Sequence, residues 1–434
     1  MTRRLAFLFL LGAAACTEQT TAPGTCPNFC PTDSIAIRDT IFTAVIERDS
    51  SYRGYVPSYS AEAMTAAELP GIVDSRAFFT TDTMIRRVAP KVGDTTTVPI
   101  IVDSSRVRFV IVRRPKNTTN LRLRLYQIPA ATDSTSTFAS LDPFFTATPV
   151  DSLNVTDLLA RPAISDTQIV RLWGDSIRVD TAGHVLQINR SDSTIAVYFP
   201  LDTLQALLND ADTGRIAWGV RVAADSFASI AVGTSESGGN SPLMRWFYHY
   251  TIPDTVSATP DSVVYADRVV ATRFDNFVFT PPTPPLDSNL AVGGTPSARA
   301  LLRVAMPAFL HDTIDVVRAT LILVPVSPVQ GAPSDSFTVP VRAVLTDLGA
   351  KSPLSTTLAG FTFIHIGSPD TVNIEITNLV RSWSLDTTLA TAFVLGQVPE
   401  ASSYTEVRFY SSRTPAFRPA LHVTYVKRFR FGEP

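Results

Sequence analysis

Leu243-Met244-Arg245-Trp246-Phe247-Tyr248-His249 alternates along its length, with Met244, Trp246 and Tyr248 set against Arg245, Phe247 and His249. A period of two puts the two sets on opposite faces of an extended strand. This stretch also has a partner further along. Ser241-Pro242-Leu243-Met244-Arg245-Trp246-Phe247-Tyr248 aligns with Arg418-Pro419-Ala420-Leu421-His422-Val423-Thr424-Tyr425, an offset of 177 residues. The same offset pairs Ile230-Ala231-Val232-Gly233-Thr234-Ser235 with Val407-Arg408-Phe409-Tyr410-Ser411-Ser412, and Phe227 with Tyr404. It also sets Ala217-Trp218-Gly219 beside Val394-Leu395-Gly396, and Ile195, Val197 and Phe199 beside Val372, Ile374 and Ile376. One gapless offset through several strand-like patches reads as a tandem duplication.

The front parts of the two repeats align at other offsets. Arg76-Ala77-Phe78-Phe79 matches Arg299-Ala300-Leu301-Leu302 at 223, and Arg106–Ile111 matches Val317–Ile322 at 211. The fall from 223 to 177 makes the first repeat 46 residues longer, with much of the excess near 131–190. Insertions of that size usually sit in loops. Asp254-Thr255-Val256-Ser257-Ala258-Thr259-Pro260 is turn-rich and marks the boundary.

Alternation recurs at 106–111 and 121–126, and Ser, Thr, Asp, Gly and Pro punctuate the runs. Helical periodicity is confined to Asp202–Asn209, with Leu204, Leu207 and Leu208 on one face, and to Thr377–Trp383, with Thr377 as N-cap. The expected fold class is all-β: two tandem jelly-roll-like antiparallel β-sandwiches, each with one short helix. The first sandwich is assigned to 33–253, with its insertion near 131–190, and the second to 261–427. Trp246 and Trp383 fall on apolar stripes and are assigned to the cores.

Composition limits the function classes. Lys+Arg is 37 against 39 Asp+Glu, so no positive surplus exists to displace counterions from nucleic acid. With 45% hydrophobic and only 18% charged residues, the chain is not of the disordered type.

Arg3 and Arg4 precede an apolar or small run, Leu5 to Ala15. The run is shorter than the roughly 20 residues a spanning helix needs and has the proportions of a signal peptide. It ends Ala13-Ala14-Ala15-Cys16, which resembles a bacterial lipobox, with Ala13 where Leu is usual. The resemblance implies cleavage after residue 15 and lipid on Cys16. Thr17 implies sorting to the outer membrane, with membrane attachment through the lipid alone. Residues 16–32 then form a tether. Cys26 and Cys30 remain as an even pair, expected to form a small disulfide loop, with free thiols as the alternative.

The second repeat, over about 261–427, resembles the DNRLRE-type domain, a jelly-roll-like sandwich of secreted and surface proteins. The resemblance rests on Leu286-Asp287-Ser288-Asn289 leading to Leu290-Ala291-Val292-Gly293, and on Arg299–Val304 and Val317–Leu323. Val372–Thr377 running into Val380 and Trp383, then Phe409–Ser412 and Arg418–Leu421, complete it. It reaches the first repeat only through the duplication, where Gly238-Gly239-Asn240-Ser241 departs from it. It implies recognition of carbohydrate or another surface polymer.

No catalytic residues are assigned. Gly233-Thr234-Ser235-Glu236-Ser237 begins like a nucleophile elbow but lacks the second Gly and the strand–helix context. His184, His249, His311, His365 and His422 have no metal-ligand spacing. Glu375 and Glu406 match Tyr198 and Ser229, so a paired-carboxylate polysaccharide hydrolase is the weakest reading. No cofactor is expected. A structural Ca²⁺ on Asp and carbonyl oxygens is compatible with such folds, at unknown ligands. Tyr52, Tyr55 and Tyr59, beside Arg53 and Gly54, and Trp173 in the insertion form the candidate ligand surface, because exposed rings stack on sugar faces. The competing reading is an apolar clasp closing the sandwich. A structural role, packing on another envelope protein, is the alternative to glycan binding.

Overall fold

The computed structural model describes residues 37–428 except 71–72, 91–94, 114–117, 157–167, 173–174, 180–184, 189–194, 202–203, 211–213, 226, 253–260, 281–287, 330–335 and 402–403. Cys16, Cys26, Cys30 and Trp173 lie outside the described residues. Strand makes up 54% and helix 11%, so the protein is all-β.

Two strands come first, β1 (Ile37–Phe42) and β2 (Ile46–Arg53). The first repeat then runs β3 (Ala63–Leu69), β4 (Val73–Thr81), the short pair β5 (Arg87–Val88) and β6 (Val98–Pro99), β7 (Ile101–Arg113), β8 (Arg122–Ile128), helix α1 (Phe138–Phe145) and β9 (Asp151–Asn154). The insertion continues with β10 (Gln168–Leu172), β11 (Asp175–Val179) and β12 (Val185–Ile188). The repeat closes with β13 (Ile195–Leu201), α2 (Leu204–Asp210), β14 (Ala217–Ala223), β15 (Ala228–Gly233) and β16 (Leu243–Ile252). After the long β17 (Ser262–Phe279), the second repeat runs β18 (Leu290–Gly293), β19 (Ala298–Val304), α3 (Phe309–Asp312), β20 (Ile314–Leu323), β21 (Ser336–Val344), β22 (Leu354–His365), β23 (Val372–Glu375), α4 (Thr377–Leu385), β24 (Ala392–Leu395), β25 (Glu406–Phe409) and β26 (Ala420–Lys427).

The two repeats share one pairing scheme. In the first, β9-β8-β14-β4-β3-β15 lie side by side, and β7 sits between β13 and β16. In the second, β22-β21-β24-β19-β18-β25 repeat the first order, and β20 sits between β23 and β26. All these pairings are antiparallel. Trp218 and Trp246 are buried in the first core, and Trp383 in the second. The expected alternation is modified on β7. Val107, Phe109 and Ile111 enter the core, but Arg106 on the other face is buried too, its guanidinium 5.3 Å from the Tyr198 ring and 5.6 Å from that of Phe247.

One helix per repeat undercounts the helices. α1 and α3 were hidden by their brevity, and α1 also carries Pro143. Thr137 caps α1, accepting from the Ser140 amide while the Ser140 side chain returns the bond. Thr377 does not cap α4. Ile376 holds the cap position, and the Thr377 hydroxyl accepts instead from the Ala319 amide on β20, at 2.8 Å.

The linear division at residues 253–261 needs a further correction, because the repeats exchange strands. β17 precedes the second repeat in sequence, yet residues 262–271 pair with β16 and residues 272–279 with β4, both in the first. Conversely β1 pairs with β26 and β2 with β19, both in the second. The two exchanged segments are equivalents. Tyr52 stands opposite Arg299, and Val278 stands opposite Arg76, the residue matched to Arg299 by the 223-residue offset. Each sandwich core therefore includes side chains from the other repeat's leading segment: Val270 and Phe277 in the first, Val45 and Ile46 in the second.

A buried carboxylate pins each exchanged strand. The Asp49 carboxylate accepts from the Ser412 amide at 2.6 Å, and the Asp275 carboxylate from the Ser235 amide at 2.8 Å. Burial pushes the Asp275 carboxyl from 3.8 up to about 6. The fold therefore binds this proton more tightly than the unfolded chain does. That stabilisation is complete below about pH 3.8 and is lost as pH rises through about 6, roughly 3 kcal/mol in all at ~1.4 kcal/mol per unit. Asp275→Asn keeps an acceptor for Ser235 without the charge. The variant is expected to melt above the parent at about pH 7.5 and with it near pH 3.5. A difference that does not change with pH in thermal melts would contradict this.

Candidate ligand-binding face

Tyr52 and Tyr55 belong spatially to the second sandwich, although they precede the first repeat in sequence. β2 carries Tyr52 to the edge of β19, so it shares an outer sheet face with residues of β19, β24, β21 and β22. The register lays that face out in rows. Tyr52 stands opposite Arg299, and Phe361 opposite Pro340. Ser50, Leu301, Val394 and Arg342 form the next row. Arg48 and Arg303 are paired beyond it. Tyr52 packs against a small outer cluster of Leu301, Val344, Ala392 and Val394.

Two pockets flank Tyr52. One, of about 500 Å³, is lined by Glu47, Arg48, Asp49, Arg303, Asp347 and Arg413 among others. Arg303 and Asp347 are joined by Nη2–Oδ1 at 2.8 Å, and this bonding holds the Asp347 carboxyl below the usual carboxylate range. Asp49 is buried, and while one oxygen accepts from Ser412, Oδ1 has no protein partner. The other pocket, of about 480 Å³, is lined by Glu62, Arg299, Pro340, Arg342, Val394, Gly396, Gln397 and Glu400 among others. Glu400 grips Arg299 through both oxygens, at 2.8 and 2.7 Å, and raises its pKa. The Tyr55 ring lies 4.2 Å from the same guanidinium, and burial raises its phenol pKa. Gln397 is only 3% exposed, and neither its amide oxygen nor its nitrogen has a protein partner. Buried groups left unpaired cost about 1–3 kcal/mol each unless something from solution bonds them.

In the first repeat the equivalent face is closed. Helix α1 lies across it, with Phe138, Leu141 and Phe145 packed on Phe78, Tyr126, Ile128, Ala217 and Val278. Arg76, the counterpart of Arg299, ion-pairs with Asp142 of the helix at 2.6 Å, and its guanidinium lies 4.2 Å from the Phe138 ring. Gly219 makes the fit feasible, since an added Cβ would lie 2.6 Å from Phe145 Cε1. The second repeat has Val394 at that ladder position, two residues before the Gly396 that the 177-residue offset sets beside Gly219, so the sequence alignment of this strand is out by two. It also has Arg342 for Tyr126, Arg303 for Thr80, Arg48 for Phe274, Ser50 for Asn276 and Tyr52 for Val278. One face is built for a hydrophobic cover, and the other for contact with water and polar groups.

Of the sequence candidates, Tyr52 and Tyr55 come together on this face, while Tyr59 lies on the separate turn Ser58–Ser60 and is 46% exposed. Arg342, Gln397, Phe361 and Phe363 were not singled out. Arg342 had a signal, a lone charge inside Val339-Pro340-Val341-Arg342-Ala343-Val344. Phe361 and Phe363 alternate like core residues, yet they are 55% and 59% exposed, while Ile364 takes the core. Glu375 is paired with Arg318 and Glu406 with Arg53, on different sheets. Among the described residues, no three His, Cys, Asp or Glu side chains are grouped to hold a metal ion. No helix among them is long and apolar enough to cross a membrane.

No protein-family model matches the chain, and no curated protein sequence matches it significantly.

Proposed function

We propose that this protein is a non-catalytic, lipid-anchored surface protein that binds a neutral glycan along the open face of its second sandwich. One observation carries the reading. Two polar pockets of balanced charge flank a tyrosine on a face that the other repeat keeps covered. Three Arg meet Asp49, Asp347 and Glu47 in one pocket, and Arg299 and Arg342 meet Glu62 and Glu400 in the other. Fixed donors and acceptors in equal supply suit hydroxyl groups, which both give and take hydrogen bonds. They offer no net field to a polyanion. The lipobox-like Ala13–Cys16 would hold this face at the cell envelope, on the outer membrane, and the DNRLRE resemblance of 261–427 supports a surface role.

The experiment is a glycan array probed with the full mature chain, whose N-terminus is first read by mass spectrometry as acylated Cys16. Tyr52→Ala is expected to lower binding about tenfold, the scale of one lost aromatic platform of roughly 1.4 kcal/mol. Array binding that Tyr52→Ala leaves unchanged would sink the face as the site. The second reading, packing on another envelope protein, is favoured by the exposed Phe361 and Phe363 on outermost β22. It predicts a stable copurifying protein, lost on Phe361→Ser/Phe363→Ser, and an empty array.

A further inference from the structure

β22 is the outermost strand of its sheet, and its 12 residues, Leu354–His365, include no Asp, Glu, Lys or Arg. The edge of a sheet presents unpaired main-chain groups, and folded proteins blunt such edges with short strands, charges or proline. The other strands that end sheets here follow that rule. β9 has 4 residues, among them Asp151, and β1 has 6, with Arg38 and Asp39. β10 carries Arg171, β23 Glu375, and β25 Glu406 and Arg408. From Phe361 to His365, β22 keeps a regular register and has none of these devices. Its exposed side chains are apolar too, with the Phe361 and Phe363 rings edge to face at 5.8 Å. Which main-chain groups face the open side follows from β21. The Thr338 carbonyl accepts from the Val398 amide at 3.0 Å and the Pro340 carbonyl from the Gly396 amide at 3.4 Å, so both residues bond away from β22. Val339 and Val341 therefore bond to their β22 partners Thr362 and Gly360. The amides and carbonyls of Phe361 and Phe363 point the other way, and no main-chain group among the described residues bonds them.

We infer that β22 pairs antiparallel with β22 of a second copy of this chain, about a two-fold axis at Thr362. A two-fold contact needs a strand that complements itself. A charged edge would meet its own sign across such an axis, and β22 carries no charge to meet. With the axis at Thr362, Phe361 faces Phe363 of the other copy, and Phe363 faces its Phe361. These are the residues whose main-chain groups are open, so each facing pair exchanges its amide and carbonyl bonds. The rings of both copies gather on one sheet face, where facing aromatic residues attract. A strand from a different protein finds no charge on β22 to select it, whereas the strand's own sequence satisfies the register from both sides. The contact also closes, since pairing uses up both edges. The run β2-β19-β24-β21-β22 continues into the same run of the other copy. The axis stands perpendicular to the joined sheet, so both open faces look the same way. The inference does not depend on the glycan reading. It gives Phe361 and Phe363 a different occupant from the envelope protein of the second reading.

The test uses the chain from residue 16 onward with Cys16→Ser, so that no lipid brings copies together. The contact is small, of the weak size class, so sedimentation equilibrium is expected to show monomer and dimer exchanging in the micromolar range. Phe361→Lys/Phe363→Lys removes the rings and sets like charges opposite one another, and is expected to weaken the dimer by about tenfold or more. Phe361→Glu/Phe363→Lys loses the same rings but sets opposite charges face to face in this register. It is expected to dimerise about tenfold more tightly than the double-Lys variant. Thr362→Cys gives a covalent readout that keeps both rings. Residues facing across the axis as a pair without main-chain bonds lie about 4.5 Å apart at Cα, within reach of a disulfide. Mild oxidation is expected to join two peptides that each contain residue 362, which peptide mapping separates from links through Cys26 or Cys30. Equal dimerisation of the parent and the double-Lys variant overturns the pairing, as does a parent that stays monomeric at high micromolar concentration. A dimer that the double-Lys variant loses, but that Thr362→Cys never links, overturns the axis at Thr362. A monomeric parent that holds a different protein, released by the double-Lys variant, overturns the second copy as occupant.

Discussion

A chain cleaved between Ile252 and Ser262 is expected to remain one particle. Two sandwiches in series, joined by a linker, would separate when that linker is cut. Here each fragment keeps a strand inside the other. β17 leaves with the second fragment but is paired along its length within the first, to β16 through ten residues and to β4 beyond them. β1 and β2 leave with the first fragment but complete the sheets of the second. Pulling the halves apart exposes Val270, Phe277, Val45 and Ile46, at about 1.5–3 kcal/mol for each large apolar side chain, and breaks two ladders. A protease site placed in 253–260 should give two bands in denaturing gels and a single peak on size exclusion at low micromolar concentration. Two peaks without denaturant would mean that the exchange does not hold the molecule together.

Gly219→Val is expected to unseat α1 and to cost about 3 kcal/mol or more of stability, the range for losing a buried Phe or overpacking a core. The added Cβ would sit 2.6 Å from Phe145 Cε1 and 3.3 Å from Ile128 Cγ2, and β14 is held between β4 and β8. The backbone is thus fixed, and the ring must leave. Phe145→Ala within the same variant removes the clash but not the cavity. The double variant should therefore recover part of the loss. Denaturant melts of the three variants check this. Additive losses, with no recovery, would show that Phe145 and Gly219 are not in contact.

The duplication was legible because side-chain alternation and spacing survive in each repeat. The 177-residue offset places β13 on β23, β15 on β25 and β16 on β26, within a residue or two at each start. The exchange was not legible. A strand's own residues specify that it is extended and which side is apolar, not which of two equivalent edges it joins. Ile46 and Phe277 would fill either core. The site was half legible for the same reason. Tyr52 and Tyr55 stood out as a ring cluster, but Arg299, over which the Tyr55 ring lies, and Arg342 and Gln397, which line the adjoining pocket, come from segments over 240 residues away. α1 escaped notice since Phe138–Phe145 is short, contains Pro143, and buries its rings against a sheet rather than showing a helical stripe.

The strand exchange also sets where a mechanical load would fall. Ile37, at the start of β1, is paired with Val426, near the end of β26. A pull on the chain from its amino-terminal side therefore bypasses the first sandwich and enters the second, through β1 and then β2. Because the pull runs along those strands, their hydrogen bonds to β26 and β19 resist it together in shear rather than opening one at a time. The sandwich carrying the open face is thus the one that takes a load applied at the start of β1, and the first hangs from it.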